Sequence, residues 1–200
     1  MVSNETINVI KRNGRGKESL DIDKIHSMVG FATEGITGVS ASHVEMNSGL
    51  QFFDGISTDD IQQILIKSAN DLISLESPNY QYVAARLLLF SLRKSLHHRL
   101  WEHPKFLTHI KKLVDLGLYD KGILDNYTEA EIDRMGMWID HERDYNFTYA
   151  GLRQVMDKYL VQDRSTGEIF ETPQFMYMMI AATLFAKYSK ESRLQYVKKY

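Results

Sequence analysis

Lys11, Arg12, Glu18, Asp21 and Lys24 are the side chains of this chain best suited by type and spacing to hold a polyphosphate. Lys11 and Arg12 end a β-rich stretch over residues 7 to 12 and lead into Asn13-Gly14, a strong turn signal. Residues 18 to 22 supply the return strand of a hairpin. Gly16 lengthens the turn beyond two residues, and Lys24-Ile25 opens a helix directly after it. Cations then stand beside a helix N-terminus, whose partial positive charge also attracts an anion. Lys11, Arg12 and Lys24 would neutralise phosphates, while Glu18 or Asp21 would accept hydrogen bonds from a base or sugar. Lys11-Arg12-Asn13-Gly14 by itself reads more readily as an ordinary charged turn than as a phosphate site; its coupling to Glu18, Asp21 and Lys24 is what favours a site.

The elements that must position these groups are mostly helical. Ile25, Met28, Val29 and Ala32 follow helical spacing up to Gly35, with Asp21 or Asp23 as the cap. A second helix is expected from about residue 40 to 53, ended by Asp54-Gly55. A third starts at Ser57-Thr58-Asp59-Asp60, with Thr58 a candidate N-cap, and a fourth is opened by Ser77-Pro78 and reaches about His98. After Trp101 the pattern changes to shorter helices over 104 to 116, 128 to 139 and 147 to 159, the middle one opened by Thr128 with Glu131 three residues on. Asp163-Arg164-Ser165-Thr166-Gly167 reads as the tip of a small hairpin. Thr172-Pro173 starts an apolar helix through Tyr188, and a last helix begins near Glu191. The expected fold is mainly α. A small β-hairpin with four helices occupies residues 1–94, and a helical segment with one short hairpin occupies 95–200.

Composition narrows the chemistry. The 200 residues contain no cysteine, which excludes disulfides, thiolate metal sites and thiol nucleophiles from this chain. A formal net charge of −2 argues against general attraction to nucleic acid or anionic lipid, so any anion site is local. The longest apolar run, around 175 to 182, is far shorter than the roughly 20 residues of a membrane helix, and the N-terminus lacks a signal peptide's apolar stretch. A cytoplasmic protein is expected. His141-Glu142-Arg143-Asp144 reads as a capping or ion-pair network. His97-His98 with His103 lacks ligand spacing for a metal, and Met176, Tyr177, Met178 and Met179 read as core packing.

Val9-Ile10-Lys11-Arg12-Asn13-Gly14, then Asp23-Lys24-Ile25, then Asp54-Gly55-Ile56 with Thr58-Asp59-Asp60-Ile61, resemble an ATP-cone, an allosteric ATP- or dATP-binding domain. The resemblance implicates Val9, Lys11, Arg12, Glu18, Asp21 and Ile25, with Phe52, Thr58 and Lys94 from later elements. Phe52 also reads as core, and Lys94 as a solvated helix residue. Gln62 stands where dATP-inhibited bacterial members of the family carry a His, and Gln hydrogen-bonds but cannot become cationic. Tyr80-Gln81-Tyr82-Val83-Ala84-Ala85-Arg86, Ile139-Asp140-His141-Glu142-Arg143-Asp144 and Thr166-Gly167-Glu168-Ile169-Phe170-Glu171 are similar to the large subunit of class I ribonucleotide reductase, as is Arg193-Leu194-Gln195-Tyr196-Val197-Lys198. That resemblance implies several things. The effector is ATP or dATP carried with Mg, and the partners are the remainder of the large subunit, in cis or in trans, and the small subunit. The full enzyme is a homo-oligomer. The chain would end before the catalytic barrel, leave Tyr188, Leu194 and Val197 without a packing partner, and be inactive alone. A free-standing nucleotide-binding regulator and a helical interaction module are the alternative readings.

Overall fold

The computed structural model describes residues 7–11, 16–49, 51–97 and 101–200, which fall into two compact units. Met1–Ser91 with Tyr145–Leu152 form the first, and Leu92–Asp144 with Arg153–Tyr200 the second.

In the first unit, β1 (Asn8–Ile10) pairs antiparallel with β2 (Lys17–Ser19), Val9 facing Glu18. The other edge of β1 is also occupied. Strand β3 (Ile56–Ser57) runs parallel to it, with Val9 opposite Ile56 and Ile10 opposite Ser57, giving the order β2-β1-β3. The hairpin is the one expected from sequence; the third strand is not. Asp54-Gly55, expected to end the second helix, instead seats this strand. Asp54 Oδ1 accepts from the Asn8 backbone N–H at 2.8 Å and from its side-chain amide at 3.0 Å, while Gly55 N–H donates to the Asn8 carbonyl at 2.8 Å. Gly55 has φ +83°, a conformation open to glycine but strained for other residues.

Four helices follow. Helix α1 (Ile22–Thr33) starts two residues before the expected position, α2 (Ala41–Gly49) stops before Asp54, and α3 (Thr58–Asp71) and α4 (Tyr80–His97) complete the set. Pro78 is not the first residue of α4. It sits in the preceding turn, whose bonds run three residues back, from Gln81 N–H to the Pro78 carbonyl at 3.2 Å and from Tyr82 N–H to the Asn79 carbonyl at 3.0 Å, so the α-helix begins only at Tyr80. Val9, Ile25, Val29, Ile56, Leu65 and Leu87 are each buried in this unit. Arg86 on α4 donates to the carbonyls of Ala32 at 3.4 Å and Glu34 at 2.6 Å, complementing the C-terminal end of α1.

The second unit contains α5 (Phe106–Asp115), α6 (Gly122–Asn126), α7 (Glu129–Gly136), most of α8 (Tyr149–Lys158), α9 (Pro173–Phe185) and α10 (Arg193–Lys199). Phe106, Ile110, Ile132, Met135, Phe175 and Val197 centre its core. Leu194 packs against that core as well, so α10 has a partner within the unit, contrary to the expectation of a stranded apolar face. Among the three residues named for that face, only Tyr188 is substantially exposed, at 49%. The expected hairpin at 160–170 reduces to one bridge, Gln162 opposite Ile169, closed by Gly167 N–H donating to the Asp163 carbonyl at 2.7 Å.

Thr128 and Glu131 make the expected capping box at the start of α7. Glu131 also receives Arg193, whose Nε lies at 3.1 Å and Nη2 at 2.7 Å from Oε1, and whose guanidinium sits 4.3 Å over the Tyr127 ring. Removing one member of so buried a charged pair leaves the other without compensation. Arg193→Ala is therefore expected to destabilise the second unit by roughly 2–4 kcal/mol, read as a lower urea midpoint. An unchanged midpoint would contradict the pairing.

Histidines are unusually concentrated in this unit. His103 stacks on His141 with ring centroids 3.6 Å apart, His97 meets His103 edge-on at 5.3 Å, and His109 lies 4.4 Å from the Phe175 ring. Among the described residues no three His, Asp or Glu side chains converge as metal ligands. Burial, reinforced by each other and by Arg93, Lys112 and His97, pushes His103 and His109 down to about 3 and His141 to about 4. Burial pushes Asp144 up to about 6, against the pull of Gln174 and Arg93. A depressed imidazole stabilises the fold above its ordinary value of 6.5 and loses that contribution as pH falls towards the folded value. Asp144 and Glu171, both raised by burial, have the opposite sign, but they are two groups against three. Stability of this unit should therefore fall between pH 7 and 5, by up to about 1.4 kcal/mol per pH unit for a fully buried imidazole such as His109. Equal urea midpoints at the two pH values would contradict this.

Candidate functional site

Lys11, Glu18, Asp21 and Lys24 meet on one exposed face formed by β1, β2 and the first turn of α1. Val9 and Ile25, 4% and 7% exposed, anchor the strand and the helix in the interior. Alternation along β1 puts Lys11 on the same side of the sheet as Val9 and its cross-strand partner Glu18. This diagonal relation brings Lys11 Nζ to 2.8 Å from Glu18 Oε2. At the start of α1, Asp21 is the N-cap, accepting from Lys24 N–H at 3.2 Å, and Lys24 Nζ returns to the same carboxylate at 3.2 Å.

The four side chains alternate in sign. Lys11 holds the Glu18 carboxyl below its ordinary value by a hydrogen bond and by its charge, with Lys24 adding to the effect. Lys24 lowers the Asp21 carboxyl through both its side chain and its backbone N–H. The helix N-terminus expected beside the cations is thus already capped by Asp21, and both described cations of the face are paired with carboxylates. Such exposed pairs are weak, of the order of 0–1 kcal/mol each, so they organise the face without closing it to a stronger anion.

The remaining expected residues fall in different places. Thr58 is the first residue of α3 and half-buried. The N-cap is Ser57, whose hydroxyl accepts from Asp60 N–H at 3.0 Å and donates to Asp60 Oδ2 at 2.7 Å. The parallel pairing of Ile10 with Ser57 sets the start of α3 at the Lys11 end of β1. Gln62 is 2% exposed and donates through Nε2 to the Leu87 carbonyl at 3.0 Å, tying α3 to α4 in the interior. Phe52 is half-buried in the turn between α2 and β3. Lys94, in the last turn of α4, belongs to the second unit. Arg12, like the Asn13-Gly14 turn, lies outside the described residues.

Sequence reasoning missed Asn8 and Asp54, the pair that locks β1 into the sheet and so holds Val9 and Lys11 in place. Their signal was the Asp54-Gly55 dipeptide, which reads locally as a helix stop. Among the described residues the face holds two cations and two carboxylates, groups able to take part in reversible recognition of a ligand carrying both an anion and hydrogen-bond donors.

Two family matches cover most of the chain: the ATP cone domain over residues 7–95 and the ribonucleotide reductase all-alpha domain over residues 145–200. The chain is 49% identical, over 98% of its length, to the ribonucleoside-diphosphate reductase subunit alpha of Haemophilus influenzae, covering 26% of that protein. It is 48% identical over the same share to the subunit alpha of ribonucleoside-diphosphate reductase 1 of Escherichia coli, again covering 26% of the relative. The subunit alpha of enterobacteria phage T4 is 45% identical over 90% of this chain and is covered over 24%. The chain spans about a quarter of the length of the curated relatives it matches. With an ATP cone followed by the reductase's all-alpha domain, and near-half identity along almost its whole length, the chain belongs to the ribonucleoside-diphosphate reductase alpha-subunit family and corresponds to its N-terminal portion.

Proposed function

We propose that residues 1–94 are a regulatory site for ATP or dATP, and that residues 95–200 are the helical opening of a reductase catalytic subunit. The observation that carries this reading is the exposed face on which Lys11 and Lys24 alternate with Glu18 and Asp21, inside the segment matched to the ATP cone. Lys11, Lys24 and Arg12 neutralise the phosphates, and Glu18 and Asp21 accept from the nucleoside. Val9, Ile25, Phe52, Thr58, Gln62 and Lys94 complete the assigned set. Gln62 acts through the α3–α4 tie it makes with Leu87. Mg2+, carried with the effector, sits on its phosphates.

The chemistry of the whole enzyme, reduction of ribonucleotides to deoxyribonucleotides, resides with parts other than this chain, which contains no cysteine and therefore no thiol. The partners are the remainder of the large subunit, the small subunit and further copies in a homo-oligomer, in the cytoplasm. Nucleic acid and membrane are not partners in this reading. The net charge of −2 and the lack of any described helix long and apolar enough to cross a membrane support that. An effector regulates only if it binds two enzyme states unequally, so the site here is the sensor and the change it drives lies in the full assembly.

Titration calorimetry of the chain with ATP and dATP tests the reading. Binding below millimolar concentration is expected, and Lys11→Ala or Arg12→Ala should weaken it by about 1–3 kcal/mol while leaving the circular dichroism spectrum unchanged. A folded double variant with unaltered affinity, or no binding at millimolar nucleotide, would refute it.

A further inference from the structure

Lys11, a cation assigned to the ligand's phosphates, is held at 2.8 Å by Glu18, a carboxylate assigned to the ligand's nucleoside. Both side chains are well exposed, at 52% and 38%, so the pair opens at little cost. Glu18 also lies in the fields of Lys24 and Asp21. A ligand that supplies only phosphates would take Lys11 and leave Glu18 facing added negative charge. One that supplies only hydrogen-bond donors would draw Glu18 away and leave Lys11 without its counter-ion.

From this geometry we infer that Glu18 is an exchange residue: it neutralises Lys11 in the empty site and moves to the nucleoside's donors when phosphates take Lys11. The inference rests on the nucleotide reading above and adds a regulatory property to it. The two ends of one ligand are recognised cooperatively, because each end removes the penalty that the other would incur alone. The coupling is a property of the Lys11–Glu18 pair, not of either residue separately. Asp21 cannot take this part in the same way, because it is also bound to the α1 backbone as its cap.

The test uses the full chain and compares inorganic tripolyphosphate with ATP at low ionic strength, for wild type, Glu18→Gln, Lys11→Ala and the double variant. Gln keeps the size of Glu18 but removes its charge and puts an N–H2 donor in place of one of its two acceptor oxygens. Glu18→Gln should bind tripolyphosphate about two- to fivefold more tightly than wild type and ATP more weakly. In the Lys11→Ala background it should lose the gain for tripolyphosphate. Equal gains for both ligands would show that Glu18 is only a repelling charge and overturn the exchange. Weaker or unchanged tripolyphosphate binding by Glu18→Gln, with wild type still binding ATP, would overturn the inference while leaving the nucleotide reading intact. Failure of wild type to bind either ligand would overturn both.

Discussion

Strand β1 is hydrogen-bonded along both edges, and the placement of every described charged group on the hairpin face depends on it. On one side it carries β2, which sets Glu18 diagonally from Lys11 and delivers the chain to the Asp21 cap. On the other it carries β3, which delivers the chain to Ser57 and the start of α3. A two-stranded hairpin alone is marginal in water. Here Val9 is buried opposite the buried Ile56 of β3, and Asp54 and Gly55 clamp Asn8 at three hydrogen bonds. The Lys11 end of β1 is thereby free to be polar while the buried Val9 supplies the stability.

On that exposed side the charges are balanced instead of accumulated. The chain as a whole is nearly neutral, and the face repeats that pattern locally with two described cations and two carboxylates. A face of cations alone would attract any anion. Pairing lowers that attraction and makes occupation depend on a ligand able to satisfy both signs. The second unit treats its charge differently. Arg193 and Glu131 are fully engaged with each other, and His103, His109 and His141 are held neutral among aromatic neighbours. Those groups specify packing; the exposed quartet of the first unit is the one arranged for exchange.

Local physics made much of this legible in the sequence. The Thr128–Glu131 capping box, the helix start around Ser57 and the hairpin returning into α1 all announce themselves within a few residues. What was missed depends on contacts distant in the chain. Strand β3 is two residues long and exists only because β1 offers a free edge, so its segment reads as a helix stop followed by a helix start. Gln62 reads from sequence as a hydrogen-bonding residue of the site; the approach of α4 buries it against the Leu87 carbonyl. Pro78 reads as a first helical residue, and the turn before Tyr80 overrides it. The charged residues of the site were identifiable by type, but their pairing was not, because diagonal contact across a hairpin depends on a register set by the turn.

Amide hydrogen exchange of the full chain with and without saturating ATP tests the central claim most directly, since it locates the ligand without altering any residue. Slowed exchange is predicted in residues 8–11 and 17–25 and at the first turn of α3, with α5 and α7 unchanged. No change in those segments at a nucleotide concentration shown to saturate binding, or protection confined to the second unit, would contradict the assignment of the hairpin face as the nucleotide site.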